Sequence, residues 1–292
     1  MNFRKQFESL NFKDDFMFGA VMSDIGIAKK VLAVILAEEI PDIEHCELQK
    51  NVENDFISHG VRYDVYVKTT DGTKVYDIEM QTVNSDDLPK RSRYYQASSD
   101  MDFLNKGHMY RDLPENYVIF ICEFDLFDKG NAIYKFENYC VEEDVYLSDK
   151  TFKLFLNTNG KTPRKELQSL MTYIRDNQPS DHLTSEIQNK VIDARHSGKL
   201  YSSYIKEQQN AMLLAEKAKA EGEAQGEAKG RAKGRAEGKA EGKAEGEADG
   251  EKKGTLRTLL GLVKKGLLTI TQAAEQANMT VEDFELQSAN LA

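Results

Sequence analysis

Asp64, Glu79 and Gln81 are the residues whose types and spacing most readily do chemistry in this sequence. Two runs, Val61 to Thr70 and Lys74 to Val83, alternate and are rich in β-branched and aromatic residues, as strands are. Asp71-Gly72 between them is a strong hairpin signal. A two-residue loop there pairs Thr70 with Thr73 and sets Asp64 opposite Glu79, Arg62 opposite Gln81 and Tyr66 opposite Asp77. Side chains alternate across a sheet, so these six share one face with Lys68, while Tyr63, Val65, Val67, Tyr76, Ile78 and Met80 form the core face. Opposed carboxylates with Cβ atoms roughly 4.5–5.5 Å apart repel. A divalent cation would offset that repulsion. Mg²⁺ takes one or two carboxylates and keeps several waters, which leaves room for a phosphate oxygen. It also lowers the pKa of bound water and neutralises charge developing on phosphate. The same spacing fits a solvated sheet face neutralised by Arg62, Lys68 and water. A longer loop would shift the pairing, and a one-residue slip would move one strand's set to the other face.

The surrounding elements read as mixed α/β. Ile27 to Glu39 has helical apolar spacing that Pro41 ends. Glu47 to Ile57 reads as a first strand. Asp87 to Asn105 reads as a helix, and Asn116 to Phe124 is a short apolar run expected as a buried strand. Further strands are expected near Ala132 to Cys140 and Phe152 to Asn157, and helix from 163 to 218. Helix, hairpin, helix and buried strand is an α/β order. The helix after the hairpin carries Lys90, Arg91 and Arg93, then Tyr94 and Tyr95, with Lys106, His108 and Arg111 following. Such cations could hold phosphates and a tyrosine could stack on a base; alternatively the tyrosines pack on the sheet and the arginines are solvated.

Asp64, then Glu79-Met80-Gln81 on the next strand, resembles the PD-(D/E)XK nuclease motif. More narrowly, the chain is similar to the Rpn family of recombination-promoting nucleases, also described as transposases. The matching stretches are Lys13 to Phe18, Asp77-Ile78-Glu79-Met80-Gln81, Arg91-Ser92-Arg93-Tyr94-Tyr95, the strand Val118 to Ile121 and the glycine-rich tail. The resemblance implies a restriction-endonuclease-like α-β-β-β-α-β core with a mixed sheet flanked by helices, over about residues 1–160. It implies metal-dependent cleavage of DNA, with Asp64 and Glu79 as ligands of Mg²⁺ (Mn²⁺ or Ca²⁺ as alternatives) and Asp15 assisting from the first helix; on the residue types alone, Lys90, Arg91, Arg93 and Tyr95 are the expected DNA contacts. Gln81 departs from the superfamily's usual lysine. Glutamine carries no charge, so its part would be to orient water or a phosphate oxygen. The rival is an inactive DNA-binding or oligomerising scaffold on the same fold.

The formal net charge of −10 runs against a simple nucleic-acid binder. A local basic stripe with bridging cations suffices for a nuclease. The three cysteines form no CxxC pair, which argues against a disulfide framework or a thiolate zinc site and fits a reducing cytoplasm. The start of the chain has no apolar signal region, and no stretch nears the ~20 apolar residues of a membrane span. The five histidines show no ligand spacing, and no phosphate-loop or GxSxG pattern occurs.

Beyond a helical extension (161–218), glycine recurs at every fourth position from Gly222 to Gly254, with alanine two residues before each as far as Ala248 and charged residues at most other positions. Nine glycines cost a lone helix roughly 9 kcal/mol against alanine. A period of four exceeds 3.6, so a close-packed small-residue row would demand a right-handed supercoil. The segment 219–254 is therefore either a helical self-association element, making the chain a homo-oligomer, or a charged linker. Residues 255–292 carry two helical patterns, Leu256 to Leu268 and Thr271 to Ala277, and Thr280 with Asp283 resembles an N-cap. The segment has the outline of a helix-turn-helix, or of a small helical hairpin used in oligomer contacts.

Overall fold

The computed structural model describes residues 3–52, 61–104 and 109–289. Three helices open it: α1 (Phe3–Ser9), α2 (Asp15–Met22) and α3 (Ile25–Leu36). At the head of α3 the Asp24 carboxylate accepts the Ile27 amide at 3.2 Å. The helix ends at Ala37, which takes the left-handed conformation at φ 59°, ahead of Pro41. Its apolar stripe buries Ile27, Val31, Leu32 and Ile35 completely.

β1 (Ile43–Val52), β2 (Val61–Thr69) and β3 (Lys74–Gln81) pair antiparallel in succession. Helix α4 (Leu88–Leu104) returns the chain to β4 (Glu115–Cys122), which runs parallel to β3. After β5 (Ile133–Phe136) and a two-stranded ribbon of β6 (Tyr139–Cys140) and β7 (Val145–Tyr146), β8 (Thr151–Asn157) lies parallel to β4. The six-stranded order is β1-β2-β3-β4-β8-β5. This is the α/β class and mixed sheet expected, in the α-β-β-β-α-β order. The first strand begins four residues earlier than its apolar pattern suggests, and 53–57 of that expectation lie outside the described residues.

The hairpin register is the expected one: Tyr66 pairs with Asp77, and Val65 with Ile78. The loop is wider than two residues. The strands end at Thr69 and Lys74, and the Asp71 carboxylate organises the turn by accepting from Thr69 Oγ1 (2.7 Å), Thr73 N (3.0 Å) and Thr73 Oγ1 (2.8 Å). Gly72 supplies the left-handed residue at φ 67°. One residue is released on each side, so the widening is symmetric and the register survives.

Both faces of the sheet are covered. One carries the main core, where Val65, Val67, Tyr76, Ile78 and Met80 meet α2 and α3 together with α5 (Lys165–Asp176) and α6 (His182–His196). Against the other lies α4: Leu88 and Tyr95 pack with Val118, Phe120, Cys122 and Phe155. The carboxylate face of the hairpin is therefore partly covered: Tyr66, Asp77 and Glu79 are buried, Asp64, Lys68 and Gln81 half-buried and Arg62 exposed. Tyr63 also departs from strict alternation. It packs with Tyr66 and Tyr95 on the α4 side, where its hydroxyl donates to the Tyr95 carbonyl at 2.9 Å, and not with Val65 and Val67. A buried phenol needs such an acceptor, and the opposite face is an apolar core.

Residues Met1–Gln209 form one compact unit and Asn210–Ala292 a second. Helix α7 (Gly198–Lys264) runs 67 residues. Within the second unit Leu256, Leu259, Ala273, Ala274 and Phe284 bury together, drawn from the end of α7, α8 (Ile270–Gln276) and α9 (Val281–Ala289). Thr280 Oγ1 accepts the Asp283 amide at 3.1 Å, the N-cap that the sequence indicates. Among the described residues no helix is long and apolar enough to cross a membrane, and Cys46, Cys122 and Cys140 are free thiols.

Candidate active site

The β2–β3 backbone ladder stops at Val65–Ile78. One residue further the two carboxylates take over from it. The Asp64 amide donates to Glu79 Oε1 at 2.8 Å, and the Met80 amide donates to Asp64 Oδ2 at 3.1 Å. Each acid thus accepts an N–H of the opposite strand, which pins both side chains to rigid backbone and brings two negative charges together. Glu79 is only 2% exposed. Burial pushes Asp64 up to about 6; the Met80 amide opposes this and the nearby Asp15 adds to it. Burial pushes Glu79 up to about 8, with the Asp64 charge adding. In each case desolvation of the charged form is the larger cause.

Asp15, the first residue of α2, acts on Asp64 through its charge, and its own carboxyl is raised by burial and by Asp14. Arg62 and Arg91 act on Asp64 in the opposite sense. Arg62 also bonds Glu207 at 3.2 Å.

Gln81 ends β3 with its amide engaged: Nε2 donates to the Met80 carbonyl at 3.0 Å and Oε1 accepts from Arg91 at 3.1 Å. Arg91 is half-buried. It donates to the Tyr95 hydroxyl at 3.0 Å, lies 3.8 Å from Glu79 Oε2 and sits over the rings of Tyr95 and Phe120. Of the four residues expected on DNA, Lys90 and Arg93 are exposed on α4, whereas Arg91 and Tyr95 turn inward, Arg91 to the carboxylates and Tyr95 onto the sheet. Lys106 and His108 lie outside the described residues.

Asp77 has no role in the sequence reading beyond sharing the face. It is 2% exposed, and neither carboxyl oxygen meets a hydrogen-bond donor among the described residues. Burial and the Glu79 charge raise it well above its ordinary value. The signal was three acids on one hairpin face, two of them at alternate positions of β3.

The arrangement concentrates acid where water is scarce. Asp64 Oδ1 and Glu79 Oε2 take no part in the amide contacts, and hard carboxylate oxygens suit a small divalent ion that keeps its own waters. Among the described residues no three His, Cys, Asp or Glu side chains converge as a ready-made metal cage. The chemistry of Asp64 and Glu79 is that of an ion that takes one or two carboxylates and keeps several waters.

No curated protein and no solved structure matches the chain. Residues 12–222 match the family described as PD-(D/E)XK nuclease family transposase. The matched stretch is well over half of the chain and takes in Asp15, the hairpin and α4, so the chain belongs to the PD-(D/E)XK nuclease family transposases.

Proposed function

We propose that this chain is a DNA endonuclease that depends on a divalent ion, Mg²⁺ in the first place, and acts in the cytoplasm in DNA recombination or transposition. The observation that carries the reading is the reciprocal hold of Asp64 and Glu79 on each other's strands, which fixes a half-buried and a buried carboxylate side by side. Asp64 and Glu79 would hold the ion, with Asp15 assisting. When bound, the ion supplies an activated water and charge neutralisation at the scissile phosphate. Arg91 provides the positive charge that glutamine at position 81 lacks, within reach of Glu79 and Gln81. Gln81 orients water or a phosphate oxygen once its amide exchanges one of its present partners. Lys90 and Arg93, exposed on α4, contact the DNA backbone.

A second reading, an inactive DNA-binding or oligomerising scaffold, is favoured by one observation: both ends of the Gln81 amide are occupied. Cleavage of supercoiled plasmid by highly purified protein decides between them, run with Mg²⁺, Mn²⁺, Ca²⁺ or EDTA beside Asp64→Ala and Glu79→Ala. The expected result is metal-dependent nicking that both substitutions abolish. Equal activity in wild type and variants would remove the site assignment. No activity in any sample, with folded variants, would favour the scaffold.

A further inference from the structure

Helix α7 exposes every residue from 209 to 255. Two charged rows run along this segment, each stepping by four residues. The first reads acidic at Glu223 and Glu227, basic at Arg231, Arg235, Lys239 and Lys243, and acidic again at Glu247 and Glu251. The second, displaced by six positions, reads basic at Lys229 and Lys233, acidic at Glu237, Glu241, Glu245 and Asp249, and basic at Lys253 and Arg257. Position for position, the second row is the charge complement of the first over all eight sites.

A single helix cannot use this complementarity. Neighbours on a helix surface are three or four residues apart. Positions two or six apart point in different directions, so members of the two rows do not meet. Within each row the blocks instead place like charges four apart: Arg231 with Arg235, Arg235 with Lys239, Glu237 with Glu241, Glu241 with Glu245. Such pairs repel. Ion pairs within the helix occur where sign changes allow them, as Glu227 with Arg231 at 3.3 Å and Lys233 with Glu237 at 3.7 Å.

We infer that this segment pairs in parallel with the same segment of a second copy of the chain, the first row of each helix lying along the second row of the other. Symmetry dictates the orientation. The small-residue rows lie between the two charged rows, and either can form the seam. In a parallel two-fold pair, a flanking row of one helix meets the opposite flanking row of its partner. In an antiparallel pair each row meets its own copy, and no register then opposes unlike charges along the full length. The six-residue displacement is ~9 Å along the axis, within the combined reach of a long cation and a long acid. Flanking charges that set partner and orientation are the usual device of paired helices. The glycine row leaves no side chain between the backbones at the seam: a Cβ added at any glycine from Gly222 to Gly254 meets nothing within 4 Å in the single chain.

The test is charge reversal in the full-length chain, read by sedimentation equilibrium. One variant reverses the first row's cations (R231E, R235E, K239E, K243E), a second reverses the facing acids (E237K, E241K, E245K, D249K), and a third carries both sets. Wild type should dimerise, each single-block variant should weaken dimerisation at least tenfold, and the double-block variant should recover it. The two single-block variants should dimerise when mixed, and far-ultraviolet circular dichroism confirms that the helix persists. Monomeric wild type, or a dimer that the reversals do not affect, would overturn the inference. Plasmid nicking is assayed separately, so loss of the nuclease reading leaves this result standing.

Discussion

Like charges stand close together in two places in this molecule, and the consequences differ. In the core, Asp64, Asp77 and Glu79 share one end of a hairpin beneath α4, with Asp77 and Glu79 each 2% exposed. In the tail, Arg231 to Lys243 and Glu237 to Asp249 lie on a helix that is exposed throughout. Water and salt screen the tail charges. The core acids lack that screening, and their carboxyls are raised. Charge crowding is thus nearly free on the exposed helix and costly under α4, where an ion that binds the folded chain would relieve it.

Removing one core charge breaks this comparison most sharply. Glu79→Gln keeps an oxygen for the Asp64 amide but loses a ligand and a charge. Nicking activity should fall by roughly 100-fold or more, since even partners of metal ligands are worth 10–100-fold. A tail substitution such as Lys243→Gln should leave the nicking rate unchanged in the same assay. Equal effects at the two positions would mean that burial has no bearing on which charges matter.

Arg91 sharpens the contrast within α4. It faces Glu79 and Gln81, while Lys90 beside it is exposed. Arg91→Ala should lower the cleavage rate by about tenfold to 100-fold, as loss of a partner of a metal ligand does, with little change in DNA affinity. Lys90→Ala should weaken binding across sequences and reduce the salt dependence by about one ion while sparing the rate at saturating DNA. Binding titrations at several salt concentrations, beside single-turnover cleavage, separate the two. If Arg91→Ala altered only affinity, Arg91 would be a phosphate contact after all.

The third effect is on stability. Glu79 has an ordinary value of 4.5 and is raised to about 8 in the folded chain. Between these values the folded state holds a proton that the unfolded chain has lost, so metal-free stability falls as pH rises through that window and is lowest above it. Glu79→Gln should therefore raise the metal-free melting temperature at pH 8, by an amount corresponding to about 1–2 kcal/mol, and have little effect near pH 4. Divalent ions need the ionised acids, so their stabilisation of wild type should grow over the same range. Calorimetric melts at pH 4, 6 and 8, with EDTA or Mg²⁺, measure both trends. A flat difference across pH would mean that Glu79 is not raised.

Much of this core can be read from the chain. Period-two alternation around Asp71-Gly72 gave the hairpin and its register, which survives a wider loop because Asp71 closes it symmetrically. The apolar run around Val118 to Ile121 gave a buried strand. The covered carboxylate face was not legible, because α4 is polar in sequence and hides its contacts among serines and Gln96; Ser92, Ser98 and Ser99 are buried there. The inward turn of Arg91 was equally hidden, since Lys90, Arg91 and Arg93 look alike until the helix is set on the sheet. Asp77 went without a role because its burial depends on that same packing.

The smallest effect lies on the tail. Lys233 and Glu237 approach within 3.7 Å with side chains 78% and 61% exposed. Exposed pairs four residues apart contribute little, and less as salt rises. Lys233→Ala should change the melting of the core undetectably and leave the helical signal at 222 nm nearly unchanged at low salt, with a slight gain in 1 M salt, where the ion pair is screened and alanine's propensity remains. Alanine is itself the better helix former, so its propensity and the lost ion pair nearly cancel at low salt. Glu237→Ala serves as the control. If the tail charges act only along one helix, Lys233→Ala and the double substitution with Glu237→Ala should differ by no more than one exposed ion pair. A larger difference that grows with protein concentration would place these charges between helices of two chains.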